Sequence, residues 1–270
     1  MKKNKYFYIV VVFVLFSTFS DSISGRSKMG KKYKLVFCDE FNLPDYSQPD
    51  SSKWVRDRRH VGGDYIRWIS DSKDVVYIKN HHLICRAIKN TNKEDTAAML
   101  TGAITTLGKY SFKYGKIEVK LRTRKHQGNF PAAWLLPAFP TKRAPFDGEI
   151  DIFEGIDDQD IAYHTAHNQW TAEGHRNTPI SHFESKVDVS KWHVYGLIWD
   201  ENFFSWTVDG KIVGTYYRFD DEQALSHRQW PYNQHFYIIL NQSVGSGHWA
   251  KKADENFVYE TEFDWVRVYQ

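Results

Sequence analysis

Gly115-Lys116-Ile117-Glu118-Val119-Lys120-Leu121-Arg122-Thr123 is the stretch that decides the fold class. Ile117, Val119 and Leu121 alternate with Lys116, Glu118, Lys120 and Arg122, and a period of two places the apolar side chains on one face of a strand and the charges on the other. Such a strand belongs to an antiparallel sheet with one buried and one wet face. Runs of the same type recur on both sides of it, at 33–39, 75–79, 83–88, 132–136, 149–154, 163–168, 194–199, 236–240 and 263–269, separated by turn residues. Residues 204–208 and 211–216 flank Asp209-Gly210, a pair that readily takes the positive φ angles of a tight hairpin turn. Only 220–225 reads as helical, and briefly. The loops at 42–53 and 137–147 hold most of the prolines, which places them at the ends of sheets. About a dozen strands with no internal repeat and no boundary after residue 30 imply an all-β domain over 30–270, built as two packed antiparallel sheets.

Composition narrows the function classes. Aromatic residues make up 16% of the 270 residues, more than a sandwich core needs, so some rings are expected on a recognition surface where sugar C–H faces stack on them. A net charge of +3 is too small to argue for nucleic acid. The local clusters Arg56, Arg58, Arg59 and Arg122, Arg124, Lys125 read as solvated basic faces or as contacts to an anionic chain. At the N-terminus Lys2, Lys3 and Lys5 precede an apolar run over 6–16 that gives way to Ser17-Thr18-Phe19-Ser20. This is the pattern of a secretory signal peptide, assigned to 1–21, and the run is well short of the roughly 20 residues of a membrane span. The mature chain is therefore expected in the periplasm or outside the cell, free of the membrane and monomeric. Cys38 and Cys85 are compatible with one bridge or with two buried thiols, and no C-x-x-C pattern suggests a zinc site.

The chemistry concentrates in Gly148-Glu149-Ile150-Asp151-Ile152-Phe153-Glu154. Glu149 and Asp151 share a strand face by alternation, whereas Glu154 would point the other way. A one-residue bulge near Ile152 and Phe153 would return Glu154 to the acidic face and turn the apolar side chains inward. Three acids on one concave surface repel one another, which raises at least one pKa toward the range of a working general acid. Retaining glycosidases place a nucleophile and an acid/base carboxyl about 5–5.5 Å apart. An edge strand with ordinary exposed acids is the plain alternative for an isolated E-x-D pattern.

This segment does not stand alone. Thr101-Gly102-Ala103-Ile104-Thr105-Thr106, Tyr114-Gly115-Lys116-Ile117-Glu118-Val119, Pro131-Ala132-Ala133-Trp134-Leu135-Leu136-Pro137, Thr165-Ala166-His167 and Phe263-Asp264-Trp265-Val266-Arg267-Val268-Tyr269 accompany it in order. Together, over roughly 33–270, the chain resembles glycoside hydrolase family 16, in the branches that carry the bulged E-x-D-x-x-E signature. The resemblance implies a jelly-roll β-sandwich with an open concave cleft, Glu149 as nucleophile, Glu154 as acid/base and Asp151 between them. It also implies a sugar platform at Trp134, a cleft histidine at His167, and a structural calcium at Asp264, with no cofactor in catalysis. The implied partner is a long polysaccharide or oligosaccharide chain cut internally. Laminarinase-like members frequently carry Trp-Pro-Ala-Phe-Trp where this chain has Phe130-Pro131-Ala132-Ala133-Trp134, and the segment Asn241-Gln242-Ser243-Val244-Gly245-Ser246-Gly247-His248-Trp249 is more polar than theirs. Phe130, Trp170, Trp249, Arg67 and Trp68 are further candidates for lining subsites. A β-1,3- or β-1,3/1,4-glucan is the expected substrate, and a galactose-containing chain such as poly-N-acetyllactosamine, agar or carrageenan the alternative. A non-catalytic carbohydrate-binding module would have no use for three crowded acids. A metal-dependent hydrolase lacks an H-E-x-x-H pattern, and His164 and His167 fall on opposite faces of a regular strand.

Overall fold

The computed structural model describes residues 32–270, so the leader read over 1–21 lies outside the described residues. In chain order the strands are β1 Leu35–Asp39, β2 Val55–Arg56, β3 Val76–Lys79, β4 His82–Lys89, β5 Met99–Thr105, β6 Gly115–Thr123, β7 Asn129–Pro137, β8 Glu149–Gly155, β9 Ile161–His167, β10 His182–Lys186, β11 His193–Trp199, β12 Phe203–Val208, β13 Lys211–Tyr217, β14 Phe236–Val244 and β15 Tyr259–Tyr269. Two short helices, α1 Gln169–Ala172 and α2 Glu222–Ser226, accompany them. One half of the sandwich has the order β10-β9-β8-β7-β14-β5 and the other β4-β15-β6-β11-β12-β13. Pairing of Ala87 with Thr101 joins β4 to β5, so the two halves are one antiparallel path folded over on itself. This is the jelly-roll sandwich that the family resemblance implies, and β6 has the one buried face that its alternation predicts.

The register explains which side chains reach the middle. Ile117, Val119 and Leu121 of β6 are fully buried and face Ala133 and Leu135 of β7, Ile150, Ile152 and Phe153 of β8, and Ile238 and Leu240 of β14 in one continuous core. Much of the aromatic surplus also lies here. Trp199 meets Phe112 and Phe236 edge-on at centroid distances of 5.6 and 5.4 Å, and Trp206, Tyr195, Tyr216 and Tyr232 are fully buried. Rings this large fill the wide gap between twisted sheets, so they are core before they are recognition surface.

The structure departs from the sequence reading where burial is two-sided or polar. β5 is buried on nearly every position, so it shows no alternation, and β10 is a short polar edge strand. β14 continues past Leu240 through Asn241, Gln242 and Ser243, all buried. Gln242 is satisfied there: its amide donates to Asn129 Oδ1 at 3.0 Å and its carbonyl accepts from Thr261 Oγ1 at 2.6 Å. Helix α1 starts on Asn168, whose side chain accepts from the Thr171 amide while the Thr171 hydroxyl accepts from the Asn168 amide. Asp209 and Gly210 have φ values of 49° and 77° and close the β12–β13 hairpin. Cys38 and Cys85 are both free, and burial pushes the Cys85 thiol up to about 12.

The ends of the folded path approach through β10 and β13, where the Phe183 ring lies over Gly214 so closely that a Cβ built on Gly214 would sit 2.3 Å from Phe183 Cγ. Gly214→Ala is therefore expected to cost about 1–3 kcal/mol of stability by overpacking, and adding Phe183→Leu should recover part of it. Urea unfolding of the two single variants and the double variant measures this; strictly additive losses would show that the two residues do not pack against each other.

Candidate active site

β8 is the centre of the concave face. Its pairing with β9 runs Glu149 to His167, Asp151 to Thr165 and Glu154 to Tyr163, so three residues of β8 span two steps of β9. On the other side Trp134 pairs with Asp151 and Ala132 with Glu154, with the shift between Ala133 and Trp134. Ile152 and Phe153 thus form the bulge, and both are fully buried in the core with Ile150. The extra residue restores phase: Glu149, Asp151 and Glu154 all face the cleft.

The floor follows from this register. One row carries Glu149 and His167; the next carries Trp134, Asp151, Thr165 and His182; the third carries Ala132, Glu154, Tyr163 and Glu184. His167 Nε2 lies 3.1 Å from Asp151 Oδ2, a contact not aligned as a hydrogen bond, and that buried oxygen has no donor among the described residues. The Trp134 ring is fixed at both ends: its Nε1–H donates to Asn241 Oδ1 at 2.8 Å, and Tyr65 meets it edge-on with a centroid distance of 4.8 Å. Tyr65 in turn donates its hydroxyl to Asp57.

Burial sets the electrostatics. Loss of water raises the Glu149 carboxyl to about 7, Asp151 adds to the shift and His167 opposes it. Asp151 is raised by burial. Glu154 stands well above the ordinary carboxylate range, first through burial and then through the negative charges of Asp151 and Glu149, again opposed by His167. Glu149 and Glu154 are only partly covered, so the solvent of the open cleft moderates these shifts. All three carboxyls thus hold protons more tightly than ordinary acids, and at Glu154 the charges of Asp151 and Glu149 add to the effect of burial.

The other sequence candidates separate. Phe130 shares a strand face with Ala132 and Trp134 and packs beside Tyr163, Ile156 and Ala250, which continues the aromatic floor past Glu154. Trp249 is 48% exposed and meets Tyr163 at 5.3 Å and His182 at 6.0 Å. Trp170 is buried on α1, its ring stacked on His175 at 3.7 Å and its Nε1–H donating to the Thr178 carbonyl, so it pins a loop. Trp68 gives its surface to a satellite cluster with Met99, Val244 and Tyr259, and Arg67 lies over it. Most residues of the basic clusters have acidic or carbonyl partners. Arg122 and Arg124 pair with Glu262 and Glu260, Arg59 with Asp95, and Arg56 donates to Gln48 and to the Ser70 and Ser72 carbonyls. Tyr163, His182 and Asn241 complete the floor through strand register, and Tyr65 joins it from the loop between β2 and β3 through Trp134.

Two metal placements can be tested against the donors present. Asp264 has Oδ2 2.7 Å from Lys120 Nζ and Oδ1 3.7 Å from His82 Nε2. A cation already neutralises it, and these side chains do not form the cage of oxygens that calcium takes. Glu149, Asp151 and His167 bring ligand atoms within 4.8 Å of one another, but an ion there would occupy the lone pairs with which a nucleophilic carboxylate attacks.

The elevated carboxyls have a measurable consequence for stability. Glu149 binds its proton more tightly in the folded chain, at about 7, than at its ordinary 4.5. Its contribution is neutral below about pH 4.5, turns unfavourable as the pH rises, and is fully unfavourable above about pH 7. Glu149→Gln is therefore expected to raise the melting midpoint at pH 7.5, by about 2–4 °C for each kcal/mol relieved. The gain should vanish at pH 4. Thermal melts at both pH values check this, and a midpoint unchanged or lowered at pH 7.5 would contradict the raised proton affinity of Glu149.

Comparison with known proteins agrees with the geometry. Residues 63–267 match the family model described as Glycosyl hydrolases family 16. The chain is 32% identical to a beta-glucanase of Rhodothermus marinus, with 92% of this chain and 88% of that one covered. It is 28% identical to a keratan-sulfate endo-1,4-beta-galactosidase of Sphingobacterium multivorum over 88% of this chain and 55% of the relative, so it spans about half the length of that protein. The catalytic domain of an endo-1,3-beta-glucanase (laminarinase) from Thermotoga petrophila RKU-1 superposes with a TM-score of 0.74 at 27% identity, covering 88% of this chain and 98% of the other. With its bulged acidic strand in the matched region, the chain belongs to glycosyl hydrolases family 16.

Proposed function

We propose that this protein is an exported, retaining endo-β-glycosidase that cleaves β-1,3- or mixed β-1,3/1,4-glucan. The observation that carries the reading is the bulge that gathers Glu149, Asp151 and Glu154 beside Trp134 on an open concave floor. In the first step the Glu149 carboxylate attacks the anomeric carbon while Glu154 gives its proton to the departing glycosidic oxygen; the C–O bond to the leaving sugar breaks as the glycosyl–Glu149 ester forms. In the second step Glu154, now a carboxylate, takes a proton from water, which attacks the same carbon and releases Glu149. Asp151 between them raises the affinity of Glu154 for its proton, and His167 offsets part of that charge. Trp134, fixed by Asn241 and Tyr65, supports stacking of the sugar next to the cleavage point. The basic and apolar leader at 1–21 supports export.

A second reading, cleavage of a galactose-containing chain such as poly-N-acetyllactosamine, is favoured by a specific feature. On the far side of Glu154 the floor is Phe130 with Tyr163, His182 and the exposed Trp249. The similarity to the keratan-sulfate galactosidase points the same way.

Laminarin incubated with the protein is expected to give short oligosaccharides from the earliest time points, with the β-anomer formed first in an NMR time course. An initial α-anomer would overturn the retaining mechanism. Inert laminarin together with cleavage of a keratan-type chain would move the assignment to the second reading.

A further inference from the structure

The bulge that phases the acids is held by two side chains that have no place in the chemical steps above. Ile152 and Phe153 both face His164, the single β9 residue between Thr165 and Tyr163. His164 is fully buried and its Nδ1 lies 2.7 Å from the Ile152 carbonyl oxygen. A carbonyl only accepts, so Nδ1 carries the proton, and Nε2, 2.8 Å from Ser185 Oγ, accepts from that hydroxyl. Burial drives the His164 pKa down to about 4, which keeps the ring in this neutral tautomer at working pH. The preceding carbonyl, that of Asp151, accepts from the indole Nε1–H of Trp206 at 2.7 Å. Trp206 belongs to β12 of the opposite half of the sandwich and is fully buried. Consecutive carbonyls of the bulge are thus gripped from the core side, one by each half of the sandwich.

We infer that His164 and Trp206 are positioning residues that lock the bulge at Ile152 and so set where the Glu154 carboxyl stands relative to Glu149. A bulge has no register of its own; moving the extra residue one place along β8 would change which carboxyl is displaced and by how much. Donors aimed at two particular carbonyls remove that freedom, because any shift leaves buried acceptors without partners. Proton transfer from Glu154 is sensitive to displacements well below a residue spacing.

The inference rests on Glu154 acting as acid/base, and the test separates the two. Trp206→Phe deletes the N–H and keeps the ring; His164→Leu deletes the other donor, and His164→Gln offers an amide N–H in its place. Each is assayed on laminarin, or on the keratan-type chain if that is the polymer cleaved, and on the matching 2,4-dinitrophenyl glycoside, whose leaving group needs no proton. Trp206→Phe and His164→Leu are expected to lower kcat on the polymer by about 10–100-fold with KM unchanged. Values of kcat/KM on the aryl glycoside should stay within about twofold of the parent, and His164→Gln should recover part of the polymer activity. Equal losses on both substrates, or no loss on the polymer, would overturn the inference. Glu154→Gln run alongside identifies the other failure: if it keeps polymer turnover, the acid/base assignment is wrong, whatever the clamp does.

Discussion

An extra residue in β8 is the constraint on which this site depends. A β-strand sends successive side chains to opposite faces, so three acids spaced as Glu149, Asp151 and Glu154 cannot share a face in a regular ladder. Inserting Ile152 solves the phase problem, and it does so with residues that pay no polar penalty, since Ile152 and Phe153 both drop into the core. The same residue that brings Glu154 to the cleft therefore adds apolar contact beneath it. Function and packing at this strand are two faces of one backbone irregularity.

The site works against the stability of the sandwich that carries it. Three carboxyls with raised proton affinities occupy one surface, and a partly desolvated charge is costly wherever it sits. The opposing term is the core below them, where Tyr195, Leu197, Trp199, Phe204 and Trp206 interlock with the inner faces of β7, β8 and β14. Polar support is equally built in. Asn241, Gln242 and Ser243 are buried in β14, and each finds a partner: Trp134, Thr261 and the Asn241 amide respectively. Behind His167, its carbonyl accepts from Tyr232, and Asn168 donates to Tyr216 and to the Gln229 carbonyl. Buried hydrogen bonds of this kind limit relaxation of the floor on which the carboxyls stand.

Charge on the two faces of the molecule follows different rules. On the convex face Arg122, Arg124 and Lys120 pair with Glu262, Glu260 and Asp264 across β6 and β15, an ordinary exposed ladder whose members neutralise one another. On the concave face, among the described residues, the acids face no Lys or Arg partner, and Asp151 has only His167 within ion-pair distance. Burial, and then the mutual repulsion of the acids, raises proton affinity in the cleft, while the charges of the convex face are paired.

Much of this was legible in the chain itself. The alternation of Ile117, Val119 and Leu121, the Asp209-Gly210 turn, and the acidic pattern at 149–154 each report local geometry, because a period of two, a positive φ and a phase error are properties of a few adjacent residues. Even the bulge could be inferred, since only an irregularity makes sense of Glu154. What local pattern does not carry is which strands become neighbours. β5 and the polar end of β14 show no alternation, because they are buried on both faces or by hydrogen bonding. Trp170 and Trp249 look equally suited to bind sugar in the sequence, yet one is closed off by His175 and the other stands open over Tyr163. Tyr163, His182, His164 and Trp206 acquire their positions around β8 only when the path folds over and sets β9, β10 and β12 against it. Their placement is a matter of long-range register, and it is the tertiary structure that decides it.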